Sequence, residues 1–495
     1  MLQPFKSYAT NRSHNNQPKQ APILEAQVTL CQQQVIESVR KEYLSFSIDI
    51  SVLAGGFWWE GSNGSRRGLG RLRVTPIDLS AGKLDRYVRA LSPSYLRVGG
   101  SEADKIHYFD SDIQSPDTLI LTKKIWDDLH HFIKRNQLKF SFTFKYGLFK
   151  RSEHGQWQGT EIDRLLQYSK QQGYNIDVCE LGNELNAYWA FHGLTSQPGP
   201  KKLAQDYGRF SKLVKHYLPD AKIAGPGSAF WPKLGETITP FSNITQKFLQ
   251  NITTELDIID WHFYPSQSSR SPIRTRAASQ TSMLAPKSLE SFATYSNKLK
   301  AWRDLYQPNA EIWTGETGSA QCGGQPRISD RYASCFWWAD QLGRGAALGQ
   351  KIMVRQSLIG GDYGMIDRLS LKPRPDFWLS WLWVKLMGQD VFQVHSSQDK
   401  VRAYCHRHPD HDGMTLMLIN TAECRCKMET KNFAEPFETY TVTARSLSSK
   451  KIRINGEKPH FKKGKVSLED FPQLPATPYL PALSISFWRV HSAAG

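Results

Sequence analysis

The chain has 495 residues, 40% of them hydrophobic, with a mean hydropathy of -0.49. That is an ordinary soluble composition with more length than one core holds, so a large and a small domain are expected. Lys and Arg number 63 against 46 Asp and Glu, a net charge of +17 that favours polyanionic partners: nucleic acid, anionic lipid or a sulfated polysaccharide. Zinc-finger spacing, an RNA-binding aromatic signature and a basic heptad region are all missing, which sets nucleic acid aside.

The first stretch, 1–22, is polar and rich in Asn, Gln and Ser, and reads as disordered. It carries no apolar segment of a secretory signal, and no later apolar run is long enough to span a membrane. Residues 23–43 read as a strand and a short helical turn, a segment that can join a C-terminal sheet. Leu44 to Ile50 alternates and carries Asp49 near its end, a good first barrel strand, followed by a Trp-, Gly- and Arg-rich loop at 55–70. Tyr95 to Gly100 is the next strand and turn.

Helix and strand then alternate. Ile125, Leu129, Phe132 and Ile133 share a helical face, and Leu138 to Tyr146 is a strand of alternating aromatics. Leu203, Tyr207, Phe210, Val214 and Tyr217 repeat the spacing before Pro219, and Lys222 to Gly225 is strand again. Phe292, Tyr295, Leu299 and Trp302 mark a further helix closed by Pro308. Strands near 46, 96, 141, 178, 223, 260, 313 and 353 predict a (β/α)8 TIM barrel over 44–388. From 389 to 495 short β runs between Pro, Gly and Asn turns, such as Met414 to Ile419 and Leu483 to Trp488, predict an appended β-sandwich.

Two acids stand out on this count. Glu184, in Glu180-Leu181-Gly182-Asn183-Glu184-Leu185-Asn186, follows strand four, and Glu316, in Ile312-Trp313-Thr314-Gly315-Glu316-Thr317-Gly318-Ser319, follows strand seven. The C-terminal ends of barrel strands form the active-site face. Glycosidic cleavage with retention needs two carboxyls roughly 5–5.5 Å apart, one attacking and one acting as acid and then base. Glu184 is assigned acid/base and Glu316 nucleophile, with Asn183 free to bond the sugar 2-hydroxyl. The 15 Trp suit sugar faces, though most belong to the core.

These two motifs resemble those of the heparanase-like glycoside hydrolases (glycoside hydrolase family 79). Leu91 to Gly100, Trp261-His262-Phe263-Tyr264, Gly323-Gly324-Gln325-Pro326, Val354-Arg355-Gln356 and Asp376 to Ser380 match as well, in the family's order from about residue 40 onward. The resemblance implies β-glucuronidase chemistry by double displacement, endo-acting on a heparan sulfate-like chain or exo-acting on a terminal glucuronide, without cofactor or metal, by a monomer. It also implies roles: Gly323 and Gly324 hold the uronate carboxylate through backbone N–H groups, Tyr363 completes that pocket, and Asp49, Ser101 and Gln356 line the sugar site. Tyr264 bonds the nucleophile and His262 sits beside it.

The sequence also departs from the family. Gly100 to Leu121 is too short for the excised linker of the animal enzymes, and their lysine-rich cluster after it has no match. Sulfate binding is therefore assigned to Lys145, Arg270, Arg274 and Arg276. The loop from Gly360 to Asp367 is one residue shorter, and the sandwich disulfide lacks its second cysteine, which fits a reducing compartment or a bacterial member. The seven cysteines are too few and irregular for a disulfide framework.

Three alternatives stay open at this level. A silent glycan-binding member shares the fold, an arabinofuranosidase shares the two acids, and zinc on Cys405, His406, His408, His411, Cys424 and Cys426 competes with plain hairpin geometry. Membrane-surface association through glycans is compatible with all of these.

Overall fold

The computed structural model describes residues 22–59, 72–109, 118–147, 156–232, 234–235, 244–410, 412–475 and 477–491. Residues 1–21 and His411, both subjects of expectations above, lie outside the described residues.

Eight parallel strands close a barrel: Leu44–Asp49, Tyr95–Gly99, Lys139–Phe144, Val178–Leu181, Lys222–Trp231, Ile258–Phe263, Glu311–Thr317 and Ile352–Arg355. Neighbours pair in chain order, and the eighth returns to the first through Val354 opposite Ser45. All eight fall where the sequence predicts them. Each strand is buried on both faces, as parallel strands under a helical coat must be.

Alternation along the strands divides the interior into two layers. Ile259, Trp261 and Phe263 face the helices, while Ile258, Asp260 and His262 face the axis. At the N-terminal end the axis is plugged by Tyr95, Val178, Ala224, Ile258, Trp313, Ile352 and Val354, with Tyr95 and Trp313 meeting edge-to-face at 4.9 Å. At the C-terminal end the inward positions become polar and charged, and that layer carries the site.

The coat helices bury the predicted stripes. Lys123–Arg135 starts at Thr122, whose hydroxyl accepts from Ile125 N at 3.2 Å, and turns Leu129, Phe132 and Ile133 inward. Pro200–Tyr217 does so with Leu203, Tyr207, Phe210 and Val214.

A nine-stranded sheet follows the barrel. Leu24–Ser38 belongs to it, antiparallel to Asp390–Ser396 and parallel to Cys426–Lys431, so strand continues where a helical turn was expected. One face of the sheet encloses a core of its own around Val28, Phe392, Leu416 and Trp488. The other lies on two barrel helices, Ala333–Ala347 and Pro375–Leu386, and contributes Met417, Tyr440, Val442 and Phe487 to the main core. Tyr332 joins the two units by donating to the carbonyls of Val442 and Leu483, both at 2.8 Å.

Candidate active site

The polar layer is built around Arg97, on the second strand. Its side chain is 2% exposed, and Nη1 donates to Glu316 Oε2 at 2.8 Å. Nη2 donates to Glu180 Oε2 and to Asn183 Oδ1, both at 3.0 Å. Thr143 Oγ1 adds a bond to Glu180 Oε2 at 2.7 Å. One guanidinium therefore ties the second, fourth and seventh strands together.

Glu184 lies just past the fourth strand with φ 52, a left-handed backbone held in place by its N–H bond to the Gly227 carbonyl at 3.1 Å. Trp231 Nε1 donates to its Oε1 at 3.3 Å, and His262 Nδ1 lies 3.4 Å from the same oxygen. Glu316 Oε1 accepts from the Tyr264 hydroxyl at 2.6 Å. Ligand atoms of Glu184, His262 and Glu316, one from each, all lie within 4.8 Å of one another.

Burial raises the Glu184 carboxyl above its ordinary range and neighbouring Glu316 adds to this, while His262 and Trp231 pull the other way. Burial resists charge on His262, but attraction to Glu316 and bonds to Asp260 and Glu184 outweigh it and lift the imidazole to about 10. Burial also lifts Glu180 to about 7, against Arg97. Two sets of donor atoms, Glu180–Asp260–His262 and Glu184–His262–Glu316, have the spacing of a metal site. Arg97 already bonds a carboxylate in each set and supplies the positive charge that an ion would bring.

Asp49, at the end of the first strand, caps the helix Ile50–Ala54, with Oδ1 accepting from Ser51 N at 2.9 Å. Burial lifts its pKa from 3.8 to about 8, against the Ser51 bond. A carboxyl that holds its proton more tightly when folded stabilises fully below its unfolded pKa and loses that contribution as pH rises through the folded one. Asp49→Asn is therefore expected to gain stability relative to wild type between about pH 5 and about pH 8. Thermal melts in matched buffers read this, and parallel curves for the two proteins would refute a protonated Asp49.

The expected site residues separate into two groups. Asp49, Ser101, Glu184, Tyr264, Glu316, Gln356 and Tyr363 line one narrow cavity of about 40 Å³. Asn183 and His262 do not line it: Asn183 bonds Arg97, and His262 lies against the lining Glu184. Gly323 and Gly324, at φ 79 and 84, do not line it but lie against two residues that do, Trp59 and Tyr363, and their N–H groups donate to no acceptor among the described residues. Tyr363 stacks on Tyr264 at 6.4 Å between ring centres.

The four cations assigned to sulfate are used otherwise or lie apart. Arg270 is buried, donates to the Gly324 carbonyl at 2.8 Å and pairs with Asp362. Lys145 pairs with Glu161 at 2.8 Å. Arg276 turns toward the Pro265 carbonyl and Ser291, both at 3.4 Å. Arg274 is exposed and does not line the cavity. The zinc reading fails on strand alternation: Cys405 enters the sandwich core, while His406 faces the other way against Trp383 at 5.1 Å.

Sequence reasoning missed Arg97, Glu180 and Asp260, and with them the aromatic wall of Trp58, Trp59 and Trp231. The sequence signal for the first three was a charged residue within an otherwise apolar strand, which does not by itself say which face it takes.

Comparison with known proteins agrees with this geometry. Residues 58–343 match the family model described as glycosyl hydrolase family 79, N-terminal domain. The chain is 27% identical over 449 residues to a heparanase of Rattus norvegicus, covering 77% of this chain and 79% of that one. It is 25% identical over 487 residues to a hyaluronoglucuronidase of Hirudo nipponia, covering 88% and 91%. A solved GH51 α-L-arabinofuranosidase from Thermotoga petrophila shares the fold at a TM-score of 0.65 and 12% identity, over 94% of this chain and 100% of that one. The family match spans more than half of the sequence and contains both glutamates, so the chain belongs to glycosyl hydrolase family 79 and is a glycosidase.

Proposed function

We propose that the enzyme cleaves β-glucuronidic linkages of an acidic polysaccharide with retention of configuration, Glu316 attacking and Glu184 serving as acid and then base. The observation that carries this reading is the approach of the two carboxyls within 4.8 Å. Inverting enzymes keep their carboxyls roughly 6.5–9.5 Å apart to admit a water, and the separation here leaves no such room.

The environments differ in the sense the roles require. Glu316 receives Arg97 on one oxygen and Tyr264 on the other, two donors that fix the orientation of its carboxyl for attack. Glu184, buried with a raised pKa, keeps its proton for the departing glycosidic oxygen. As Glu316 bonds the anomeric carbon, Glu184 protonates the leaving group. Glu184, now ionised, then takes a proton from water, which displaces Glu316 and returns the sugar with its original configuration. Relatives named heparanase and hyaluronoglucuronidase support a glucuronate-containing polymer as substrate.

The Gly323–Gly324 pair suits the uronate carboxylate, since convergent N–H groups attract anions. A Cβ on Gly323 would meet the Trp59 carbonyl oxygen at 2.3 Å, at a φ of +79 that disfavours any side chain. Gly323→Ala is expected to cost about 1–3 kcal/mol of stability. It should also lower kcat/KM for an aryl β-glucuronide far more than for the matching β-glucoside. Equal losses on both substrates would remove the uronate contact from this pair.

The decisive experiment follows the first-formed product by proton NMR and traps the enzyme with a slow fluorinated glucuronide. Retention requires the β-anomer first and a glycosyl adduct on Glu316. An α-anomer first would overturn the mechanism.

A further inference from the structure

A concavity of about 1090 Å³ lies away from the carboxyl pair, between barrel and sandwich. Lys83 and Arg86 line it from the barrel helix Asp85–Leu91 and the turn before it, and Lys372 and Arg374 from the loop after the eighth strand. Lys450, Lys451 and Lys458 line it from the sandwich. Phe461 forms the floor, packed on Tyr87 at 5.3 Å and on Trp378 at 5.4 Å, with the Arg86 guanidinium over its ring at 5.6 Å.

The charge is one-sided. Residues 450–465 hold six lysines and one arginine against a single glutamate. The acids lining the concavity are Asp330 and Asp367, and each already has an arginine partner, Arg331 and Arg374. Lys83, Lys372, Lys450, Lys451 and Lys458 are exposed and form no ion pair among the described residues. Five unneutralised ammonium groups around one cleft repel one another, and a bound polyanion relieves that repulsion.

The cleft also reaches the site already described. Arg374 Nη1 donates to the carbonyls of Gly361 at 2.7 Å, Asp362 at 3.0 Å and Gly364 at 2.9 Å. That loop bears Tyr363, which faces the cavity of the two glutamates. One loop thus contributes to both, Tyr363 to the cavity and Asp367 to the cleft.

We propose that this cleft is an accessory subsite that holds a sulfated or uronate-rich stretch of the polysaccharide while another stretch is cut. The proposal rests on the glucuronidase reading for its substrate class, and the position of the cleft adds to it: a polymer reaches both sites and a monosaccharide glycoside does not. It replaces the four cations that the sequence nominated for sulfate with a different set on the sandwich side.

The test is the full chain carrying Lys450→Ala, Lys451→Ala and Lys458→Ala, with heparin as the binding probe and heparan sulfate and an aryl β-glucuronide as substrates. Heparin affinity should fall about tenfold or more at moderate salt, with the slope of log affinity against log salt shallower by about one per lysine removed. The KM for the polymer should rise in step, while aryl glucuronide turnover stays within about twofold of wild type. A control triple at the exposed Lys201, Lys202 and Lys247 should leave heparin binding unchanged.

Heparin affinity unchanged in the cleft triple overturns the proposal, as does an equal loss in the control triple or equally tight, equally cleft-dependent binding of duplex DNA. The two readings fail separately. A wild type that binds heparin through the cleft but hydrolyses no glucuronide loses the proposed reaction and keeps the subsite. One that hydrolyses glucuronides with heparin binding indifferent to the triple loses the subsite alone.

Discussion

Glu316→Gln is expected to lower kcat for an aryl β-glucuronide by about 10⁴-fold or more, the scale of loss when a covalent nucleophile is removed from an otherwise intact site. Glutamine keeps the shape and accepts from either Tyr264 or Arg97, so the loss falls on chemistry and polymer binding survives. Glu184→Gln should behave differently. A leaving group as acidic as dinitrophenol needs no proton to depart, so glycosylation by that variant stays fast and deglycosylation, which needs a base, becomes slow. A burst of dinitrophenolate followed by slow steady turnover is the expected trace, with no burst from Glu316→Gln. Residual steady turnover above about 1% in Glu316→Gln would reassign the nucleophile, because general acid–base assistance alone accounts for the smaller losses.

How far the sequence carries this depends on which physical signal each element leaves. The barrel strands are legible because both faces are buried and short apolar runs alternate with helices of one-sided periodicity. Ala333–Ala347 and Pro375–Leu386 left no such stripe. Nearly every residue of each is buried between barrel and sandwich, Asp340, Gln341 and Asp376 included, so no solvent-facing polar stripe sets a period. The strand Leu24–Ser38 is irregular, with register shifts between Leu30 and Val35 and between Val35 and Glu37, which hides its length.

The carboxyl pair was legible because each acid closes a short apolar run, with a glycine one or two residues before it. Its support was not. Whether Arg97 faces the axis or the coat depends on strand register, and a one-residue slip reverses the answer. The four cations assigned to sulfate illustrate the same limit. A basic residue near a site in sequence is as readily spent on carbonyls, as Arg270 is, and the exposed lysines that converge do so from segments far apart in the chain.

Arg97→Met should be the most damaging single change to stability in the site, costing about 3–5 kcal/mol, the usual result of breaking a buried ion pair from one side. Methionine fills most of the volume but leaves Glu180 and Glu316 without their guanidinium. The sign of the pH dependence follows from Glu180. Its folded pKa is already about 7, above the ordinary 4.5, and Arg97 is the largest influence holding it down. Without Arg97 the folded state keeps that proton to higher pH, while the unfolded chain releases it as before. The deficit relative to wild type should therefore be smaller near pH 5 than near pH 8, which urea unfolding at the two values measures. Adding Glu180→Gln to Arg97→Met removes one stranded charge and should recover part of the loss, most of it at the higher pH. A double variant no more stable than Arg97→Met at about pH 8 would show that Arg97 acts by filling space, and the role of the guanidinium as the charge that joins the three strands would have to be given up.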